Sequence, residues 1–187
     1  MNSKPALIAI VGMPGSGKSV AADFFRSKNI PVLRFGDQTE IGLTELGLEI
    51  NEKNERAYRE NLRQELGMAA MAIKIEPRIQ VAAQTSDLVV LDGLYSWEEY
   101  VYLSQKFSSL TLLCIYASPS VRYARLKDRP VRPLTPEEAK SRDHAEIENL
   151  KKGGPIAIAD YLIKNETTQE EYQSELEIFL RIFHETH

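Results

Sequence analysis

The sequence predicts an α/β fold, a three-layer domain in which helices cover both faces of a five-stranded parallel sheet. Two observations carry this prediction. Short, continuous apolar runs alternate with longer stretches of helical spacing, as parallel strands joined by crossover helices require. A glycine-rich segment, residues 12–17, also lies between the first apolar run and the first helical stretch. We expect a single domain over residues 1–187.

The apolar runs are the predicted strands. Three of them are continuous and suit strands buried on both faces, namely residues 6–11, 88–92 and 110–117. Two shorter runs, residues 31–35 and 160–165, complete the predicted sheet. Cys114 lies in one of the continuous runs and is expected to be buried. It is the only cysteine, so a disulfide within the chain is impossible, which is typical of a reducing cytoplasm.

The predicted helices fill the intervals between these runs. One follows the glycine-rich segment over residues 17–28, and a longer one over residues 52–75 has its apolar side chains on one face: Tyr58, Leu62, Leu66, Ala69 and Ile73. Ser118 and Thr135 each precede a proline, as at a helix N-terminus, and Glu138 can complete a capping box. The segment 153–155, Gly-Gly-Pro, is expected to end the helix that begins at 136. The last helix carries an apolar stripe: Tyr172, Leu176, Phe179 and Phe183.

Composition narrows the function classes. The chain is 43% hydrophobic and 27% charged, which is ordinary for a globular protein. Its net charge of −4 disfavours a dedicated nucleic-acid binder, because such proteins usually carry a basic excess. No apolar run approaches the roughly 18 residues that would span a bilayer. We expect a cytoplasmic protein, a monomer or small homo-oligomer, with neither a membrane nor a nucleic acid as partner.

The glycine-rich segment and the two residues after it match the phosphate-binding P-loop, G-x-x-x-x-G-K-[ST]. Glycines allow backbone N–H groups to turn around a phosphate, and the next helix points its positive N-terminus at the same anion. The lysine reaches the terminal phosphates, and the serine hydroxyl ligates Mg²⁺. We expect ATP and Mg²⁺ as cofactors. The predicted binding residues are Gly12, Met13, Pro14, Gly15, Ser16, Gly17, Lys18, Ser19 and Val20.

Asp92 is the predicted second Mg²⁺ ligand beside Ser19. It ends the buried run 88–92, and a carboxylate at the carboxyl end of a strand next to the P-loop strand can hold Mg²⁺ directly or through water. An ordinary Asp-Gly turn is the alternative, and the P-loop earlier in the chain favours the metal role.

Other classes of P-loop protein fit less well. A switch GTPase needs an N-K-x-D element and a D-x-x-G after its second acid-bearing strand, and the sequence has neither. A motor or AAA-type ATPase usually needs a longer chain and partner domains. A small-molecule kinase fits within 187 residues.

Five segments in order strengthen that interpretation: "GMPGSGKSVAADFF", "RFGD", "VVLDGLYS", "ASPSVRYARLKDRP" and "IADYLIKNETT". Together they resemble the adenylate-kinase and dephospho-CoA-kinase group, and the resemblance covers nearly the whole chain. It implies a P-loop NTPase fold with a small, mobile, arginine-bearing lid at about residues 125–145. It also implies a helical acceptor-binding insertion at about residues 38–80.

The resemblance also implies site residues. Arg125 and Arg129 resemble the lid arginines that stabilise charge on the transferred phosphoryl group, with a solvated helix end as the alternative. Asp37 resembles an acid that faces the acceptor hydroxyl, with a turn or capping role as the alternative. Asn165 begins a loop that resembles the border of the adenine site. Arg125 belongs to the nucleotide-binding set as well.

The chain departs from this family where an acceptor phosphate is usually held. Gln38, Thr39 and Glu40 follow the "GD" element, and Leu94, Tyr95 and Ser96 follow the "DG" element, where an arginine is common. Three arginines at helical spacing offer a replacement, although i, i+4 pairs with glutamates make a solvated face equally plausible. They are Arg56, Arg59 and Arg63.

The leading hypothesis is a Mg²⁺-dependent phosphotransferase that moves the ATP γ-phosphate to a small nucleotide-like acceptor, with dephospho-CoA as the first candidate. A nucleoside monophosphate kinase is the second. A nucleotide-binding regulator or slow ATPase that lacks acceptor chemistry is a third, consistent with the missing arginines. An RNA-associated ATPase is disfavoured by the acidic net charge.

Overall fold

The computed structural model describes residues 5–186, and five parallel strands form the sheet at its centre. The strands are β1 (Ala6–Val11), β2 (Val32–Arg34), β3 (Leu88–Asp92), β4 (Leu110–Tyr116) and β5 (Tyr161–Lys164). Their order across the sheet is β2-β3-β1-β4-β5, with β1 in the middle. Each strand matches a predicted apolar run to within one residue at either end, so the predicted α/β class and the parallel sheet are confirmed.

The helices, in chain order, connect these strands. They are α1 (Lys18–Ser27), α2 (Asp37–Glu45), α3 (Glu52–Leu66), α4 (Ala70–Ala82), α5 (Trp97–Lys106), α6 (Pro119–Asp128), α7 (Pro136–Leu150), α8 (Gly153–Ala157) and α9 (Gln169–Thr186). Helices α5 and α8 were not predicted, and α2 was expected only as part of the helical insertion at about residues 38–80. Among the described residues, no helix is both long and apolar enough to cross a membrane.

Alternation along β1 separates the two faces of the sheet. Leu7, Ala9 and Val11 belong to one buried cluster, whose helical members come from α3, α4 and α5. Ile8 and Ile10 belong to the other, which contains side chains of α1 and α9. Because successive side chains of a strand point to opposite faces, both faces are covered, and this produces the predicted three layers.

The long helix predicted over residues 52–75 is wrong in one respect. It is two helices, α3 and α4, because Gly67 adopts φ 75° and ends α3. The apolar spacing continues across the break, so periodicity alone could not reveal it. Leu62 on α3 and Ala70 on α4 still pack into the same cluster.

Three predicted helix boundaries have mixed outcomes. Thr135 caps α7, and with Glu138 it forms the expected capping box. Ser118 occupies the N-cap position of α6, but its side chain makes no capping hydrogen bond. The Gly-Gly-Pro segment does not end α7. That helix ends at Leu150, Lys151 follows in the left-handed conformation, and the segment instead begins α8.

Candidate functional site

The P-loop lies where the sequence places it, between β1 and α1. Gly17 precedes the first residue of α1 with φ 102°, a conformation that side-chain-bearing residues rarely adopt. A Cβ atom there would also collide with the amide nitrogen of Asn165. Glycine is therefore required at this position both for its backbone conformation and for the close approach of a neighbouring side chain.

Side chains from outside the motif hold the carbonyl groups of this loop. Arg122 Nη1 donates to the Pro14 carbonyl at 3.1 Å, and Asn165 Nδ2 donates to the Ser16 carbonyl at 2.8 Å. The Tyr172 hydroxyl donates to the Gly17 carbonyl at 3.1 Å. These bonds fix the loop through its carbonyls, while its N–H groups and the N-terminus of α1 are the donors suited to a phosphate.

Lys18 reaches back over the loop. Its Nζ donates to the carbonyls of Gly12 at 2.8 Å and Met13 at 3.1 Å. Burial, reinforced by the nearby ammonium of Lys152, lowers the pKa of Lys18 to about 7, and Asp92 opposes the shift. A bound phosphate would stabilise the charged form of this lysine.

Asp92 stands at the carboxyl end of β3, in register with Ile10 of β1 and Arg34 of β2. Burial raises the pKa of Asp92, and the positive charge of Lys18 opposes that rise. Asp92, Ser19 and Lys18 line one cleft, and Ser19 is exposed to it. A hydroxyl and a carboxylate on the same cleft suit Mg²⁺, which keeps several waters and takes its other ligands from substrate phosphates.

We call the cleft lined by Lys18, Ser19 and Asp92 the donor cleft, and its volume is about 450 Å³. Along one wall it presents the predicted lid arginines, Arg125 and Arg129, at the end of α6. Its complete lining is Pro14, Gly15, Gly17, Lys18, Ser19, Arg34, Asp92, Tyr95, Arg125, Leu126, Arg129 and Arg142. Most of the predicted nucleotide- and metal-binding residues are thus brought together.

Arg125 connects the donor cleft with a smaller neighbouring pocket of about 200 Å³. Its Nη2 donates to Asn165 Oδ1 at 3.3 Å, and its buried Nη1 has no hydrogen-bond partner among residues 5–186. The smaller pocket is lined by Gly17, Val20, Arg125, Asn165, Thr167, Gln169 and Tyr172. Val20 and Asn165, both predicted to bind the nucleotide, therefore meet beside the P-loop.

Arg129 also lines the donor cleft and donates from Nε to the Arg132 carbonyl. Partial burial and the neighbouring Arg142 and Arg132 lower the pKa of Arg129. The crowding of guanidinium groups along this cleft favours an anionic occupant.

A third cleft, of about 290 Å³, adjoins the donor cleft and shares Arg34, Tyr95 and Arg142 with it. We call it the arginine cleft. Its guanidinium groups come from β2, α3 and α7, and its complete lining is Arg34, Gly36, Thr39, Glu40, Glu55, Arg59, Arg63, Tyr95, Arg142, Glu146 and Leu150. Of the three arginines predicted on α3, Arg59 and Arg63 line it. Arg56 instead pairs with Glu60 at 2.8 Å in solvent.

Asp37 lies in the first turn of α2 and lines neither the donor cleft nor the arginine cleft. Its carboxylate is 3.8 Å from Arg34 and 3.7 Å from Arg78. The side chain it holds, Arg34, is the one that faces both clefts. A direct role for Asp37 at the acceptor hydroxyl stays a prediction.

Sequence reasoning missed a buried cluster beside the residues that line both clefts. Lys152, 2% exposed, pairs with Glu146 at 2.5 Å and lies 4.9 Å from the centre of the Tyr95 ring. Burial lowers the pKa of Lys152, and Glu146 opposes this shift. Glu146 also accepts from Arg142 at 3.1 Å. A lysine just after a helix gives no signal of this role. The position of Arg34, at the end of a strand predicted to lie in the same sheet as Asp92, would have been a usable signal.

Comparison with known proteins agrees with this geometry. A family model described as "AAA domain" matches residues 8–148. A UPF0200 protein of Hyperthermus butylicus is 34% identical over 90% of both chains, and one of Methanoculleus marisnigri is 36% identical over 93% of this chain and 94% of its own. The chain belongs to the UPF0200 family. An AAA-type protein was expected to need a longer chain and partner domains. That expectation is wrong for this family description, because the AAA domain model matches residues 8–148 of this UPF0200 protein.

Solved structures share the fold of the UPF0200 chain at low sequence identity. TT1252 from Thermus thermophilus has a TM-score of 0.66 at 19% identity and covers 96% of this chain and 98% of its own. A shikimate kinase from Bacteroides thetaiotaomicron has a TM-score of 0.60 at 15% identity, with the same coverage. A gluconokinase from Sinorhizobium meliloti has a TM-score of 0.54 at 15% identity and covers 98% of both chains. The chain thus has the α/β fold of P-loop NTPases, which these structures share.

Proposed function

We propose that this UPF0200 protein is a Mg²⁺-dependent phosphotransferase that moves the γ-phosphate of ATP to a small nucleotide-like acceptor. One observation carries the proposal: the P-loop cleft adjoins a second cleft lined by four arginines and three glutamates, and Arg34, Tyr95 and Arg142 line both. A second substrate beside the nucleotide accounts for such a cleft, whereas a protein that only hydrolyses nucleotide has no use for it. The kinase names of two structures with the same fold support the same class of reaction.

The donor cleft accounts for nucleotide binding. The loop N–H groups and the N-terminus of α1 bind phosphate oxygens, and Lys18 neutralises charge on the transferred group. Ser19 and Asp92 are the proposed Mg²⁺ ligands. The ion supplies charge neutralisation across the phosphates. The pocket that contains Asn165 and Val20 suits the base and sugar, since it opens beside Gly17.

Arg125 and Arg129 are the proposed stabilisers of charge on the transferred phosphoryl group, because planar donors suit its equatorial oxygens. They lie at the end of α6, just before the loop that leads into α7. Within that loop, Arg132 pairs with Glu52 of α3 at 2.9 Å, so the proposed lid (about 125–145) meets the proposed insertion (about 38–80). Contact between these segments supports closure over both clefts, which excludes water from the reaction.

The arginine cleft is the proposed acceptor site. Arg34, Arg59, Arg63 and Arg142 suit an acceptor that carries a phosphate, as dephospho-CoA and nucleoside monophosphates do. They are the proposed replacement for the arginines missing after the "GD" and "DG" elements. Without an acceptor, Arg59 and Arg142 pair with Glu55 and Glu146 of the same cleft. For Asp37 we propose an indirect role, in which its carboxylate orients Arg34, since Asp37 itself lines neither cleft.

A coupled assay of ADP release tests the proposal. Purified protein with Mg·ATP is screened against dephospho-CoA, AMP, CMP and UMP, with shikimate and gluconate as acceptors that lack phosphate. One phosphate-bearing acceptor should stimulate turnover strongly, and Lys18→Ala should abolish that turnover. Slow ADP release that no acceptor changes would overturn the kinase proposal in favour of a nucleotide-binding regulator or slow ATPase.

A further inference from the structure

Arg122 and Asp143 form a buried ion pair behind the P-loop. Their residues are 3% and 6% exposed, and the guanidinium meets the carboxylate through two hydrogen bonds of 2.9 and 2.6 Å. Removing two charges from water costs free energy that only a well-formed and fully bonded pair recovers. Neither residue lines the donor cleft or the arginine cleft, so neither can touch a substrate there.

The remaining donors of Arg122 connect two further parts of the fold. Its Nε donates to the Ala117 carbonyl after β4 at 3.0 Å, and its Nη1 donates to the Pro14 carbonyl of the P-loop at 3.1 Å. One guanidinium therefore contacts the end of the sheet, the phosphate loop and, through Asp143, helix α7.

Helix α7 also carries the arginine that faces both clefts. Arg142 is the residue immediately before Asp143, and it lines the donor cleft and the arginine cleft. A displacement of Asp143 would therefore move Arg142 relative to the P-loop. No other side chain of α6 donates to the loop among the hydrogen bonds of the described residues.

We propose that Arg122 is a positioning residue that couples the conformation of the P-loop to the placement of Arg142, through its pair with Asp143. This inference rests on the proposed function for its effect on the acceptor, but not for its effect on nucleotide binding. Arg122 fixes the position of the Pro14 carbonyl and thereby the conformation of the phosphate-binding loop. Through α7 it also sets the distance from that loop to the arginine cleft, so donor and acceptor are held in one geometry.

A purely structural role makes a different prediction, and a paired apolar replacement separates the two. Substituting both members of a buried ion pair with apolar residues of similar volume often preserves stability, whereas removing one member leaves an unpaired buried charge. Arg122→Met and Asp143→Leu should each lower the melting temperature, and the double variant should recover part of that loss. The double variant still lacks the donor to Pro14 and the link to α7.

The test measures the melting temperature, the Kd of a non-hydrolysable Mg·ATP analogue by calorimetry, and the KM for the acceptor found in the ADP-release screen. For the double variant we expect a melting temperature above that of either single variant but below the wild-type value, since the Ala117 and Pro14 carbonyls lose their donor. Its Kd should rise about tenfold, as expected for the loss of one charged hydrogen bond. The acceptor KM should also rise about tenfold, because the ion pair no longer ties α7, which carries Arg142, to the P-loop. Tyr123→Phe is the control: it removes only the 3.0 Å hydrogen bond to Asp143 and should leave Kd and KM unchanged.

Each outcome decides the inference. A double variant that regains both stability and wild-type Kd and KM overturns it and makes the pair purely structural. If the double variant does not fold, Arg122→Lys replaces it. Its compact ammonium keeps a charge for Asp143 but lacks the planar fork that spans Asp143, Ala117 and Pro14. Wild-type Kd in that variant likewise overturns the proposal. Wild-type protein that binds the analogue but responds to no acceptor would overturn only the kinase proposal, since the Kd comparison would still decide the role of Arg122.

Discussion

Arg59 and Arg56 lie three residues apart on α3, yet only Arg59 lines the arginine cleft. Its side chain is 31% exposed and lies against Glu55 at 3.3 Å, whereas the Arg56 side chain is 74% exposed and pairs with Glu60. The stripe of arginines that the sequence left ambiguous is thus divided between a cleft and the solvent. A matched pair of variants follows directly from this difference.

Arg59→Ala should weaken acceptor binding, while Arg56→Ala should not. Loss of one charged hydrogen-bond donor to an acceptor phosphate is expected to raise the acceptor KM roughly tenfold to a hundredfold. The KM for ATP should stay at the wild-type value in both variants, because neither residue lines the donor cleft. Steady-state kinetics with the acceptor from the screen measures this, and equal effects of the two substitutions would contradict the assignment of the arginine cleft.

Binding of Mg·ATP should be coupled to proton uptake at Lys18. The pKa of Lys18 is about 7, so at pH 8 this lysine is mostly neutral in the free protein, and bound phosphates favour its charged form. Affinity should therefore fall as the pH rises above 7, by up to about tenfold per unit until the pKa of the complex is reached. Calorimetry at pH 8 in buffers of different ionisation enthalpy measures how many protons the protein takes up when Mg·ATP binds. Lys18→Arg, always charged, should take up none, and a buffer-independent enthalpy for the wild-type protein would contradict this prediction.

Asp92→Asn should raise the Mg²⁺ concentration needed for nucleotide binding. The substitution keeps the shape of the side chain but removes the charge that a hard cation prefers. We expect the Mg²⁺ dependence of ATP-analogue binding to shift to higher concentration by about tenfold or more. Asp23→Asn is the control, as its exposed carboxylate pairs with Arg26 and lines no part of the donor cleft. If the Mg²⁺ dependence is unchanged in Asp92→Asn, Asp92 is not a metal ligand and the Asp-Gly pair is an ordinary turn.

Gly17→Ala should abolish nucleotide binding, and Gly47→Ala should be tolerated. Both glycines have positive φ, so each alanine carries a conformational cost of about 1–2 kcal/mol. Only the Cβ at Gly17 would meet another atom, the Asn165 amide, whereas nothing lies within 4 Å of the one at Gly47. Thermal unfolding measures the loss of stability expected in both variants. Calorimetry with the ATP analogue measures the loss of nucleotide binding expected only in Gly17→Ala. Wild-type nucleotide affinity in Gly17→Ala would contradict the close packing of Asn165 on the loop.

Glu99 should make the protein less stable as the pH rises from about 4.5 to about 7. Burial raises the pKa of Glu99 from its usual value of about 4.5 to about 7, so over this interval the native state binds the proton that the unfolded state has released. Its Oε2 accepts from the N–H groups of Tyr95 and Ser96, and an amide oxygen can keep both bonds. Glu99→Gln should therefore flatten the decline. Urea unfolding at pH 5 and 7.5 measures it, and an equal decline in the variant would contradict the assignment to Glu99.

Local pattern and tertiary contact contributed differently to the predicted site. The P-loop residues and Asp92 were predictable, since each lies beside a strand whose apolar run is visible in the sequence. Arg122 was not, because nothing in "SPSVRYAR" separates an arginine that donates to the P-loop from those that face the solvent or the cleft. Gly67 was missed for a related reason: the apolar face continues on both sides of the residue that ends α3.

By itself, the sequence determined the three layers, the parallel strands and a phosphate cradle, because hydrophobic period and glycine spacing are properties of neighbouring residues. Only the tertiary structure decided that Arg34, Arg59, Arg63 and Arg142 share one cleft. They come from a strand and two helices that are distant in the chain. Their meeting depends on the strand order and on how α3 and α7 pack, and a guanidinium group has the same composition and local pattern in a cleft as in solvent.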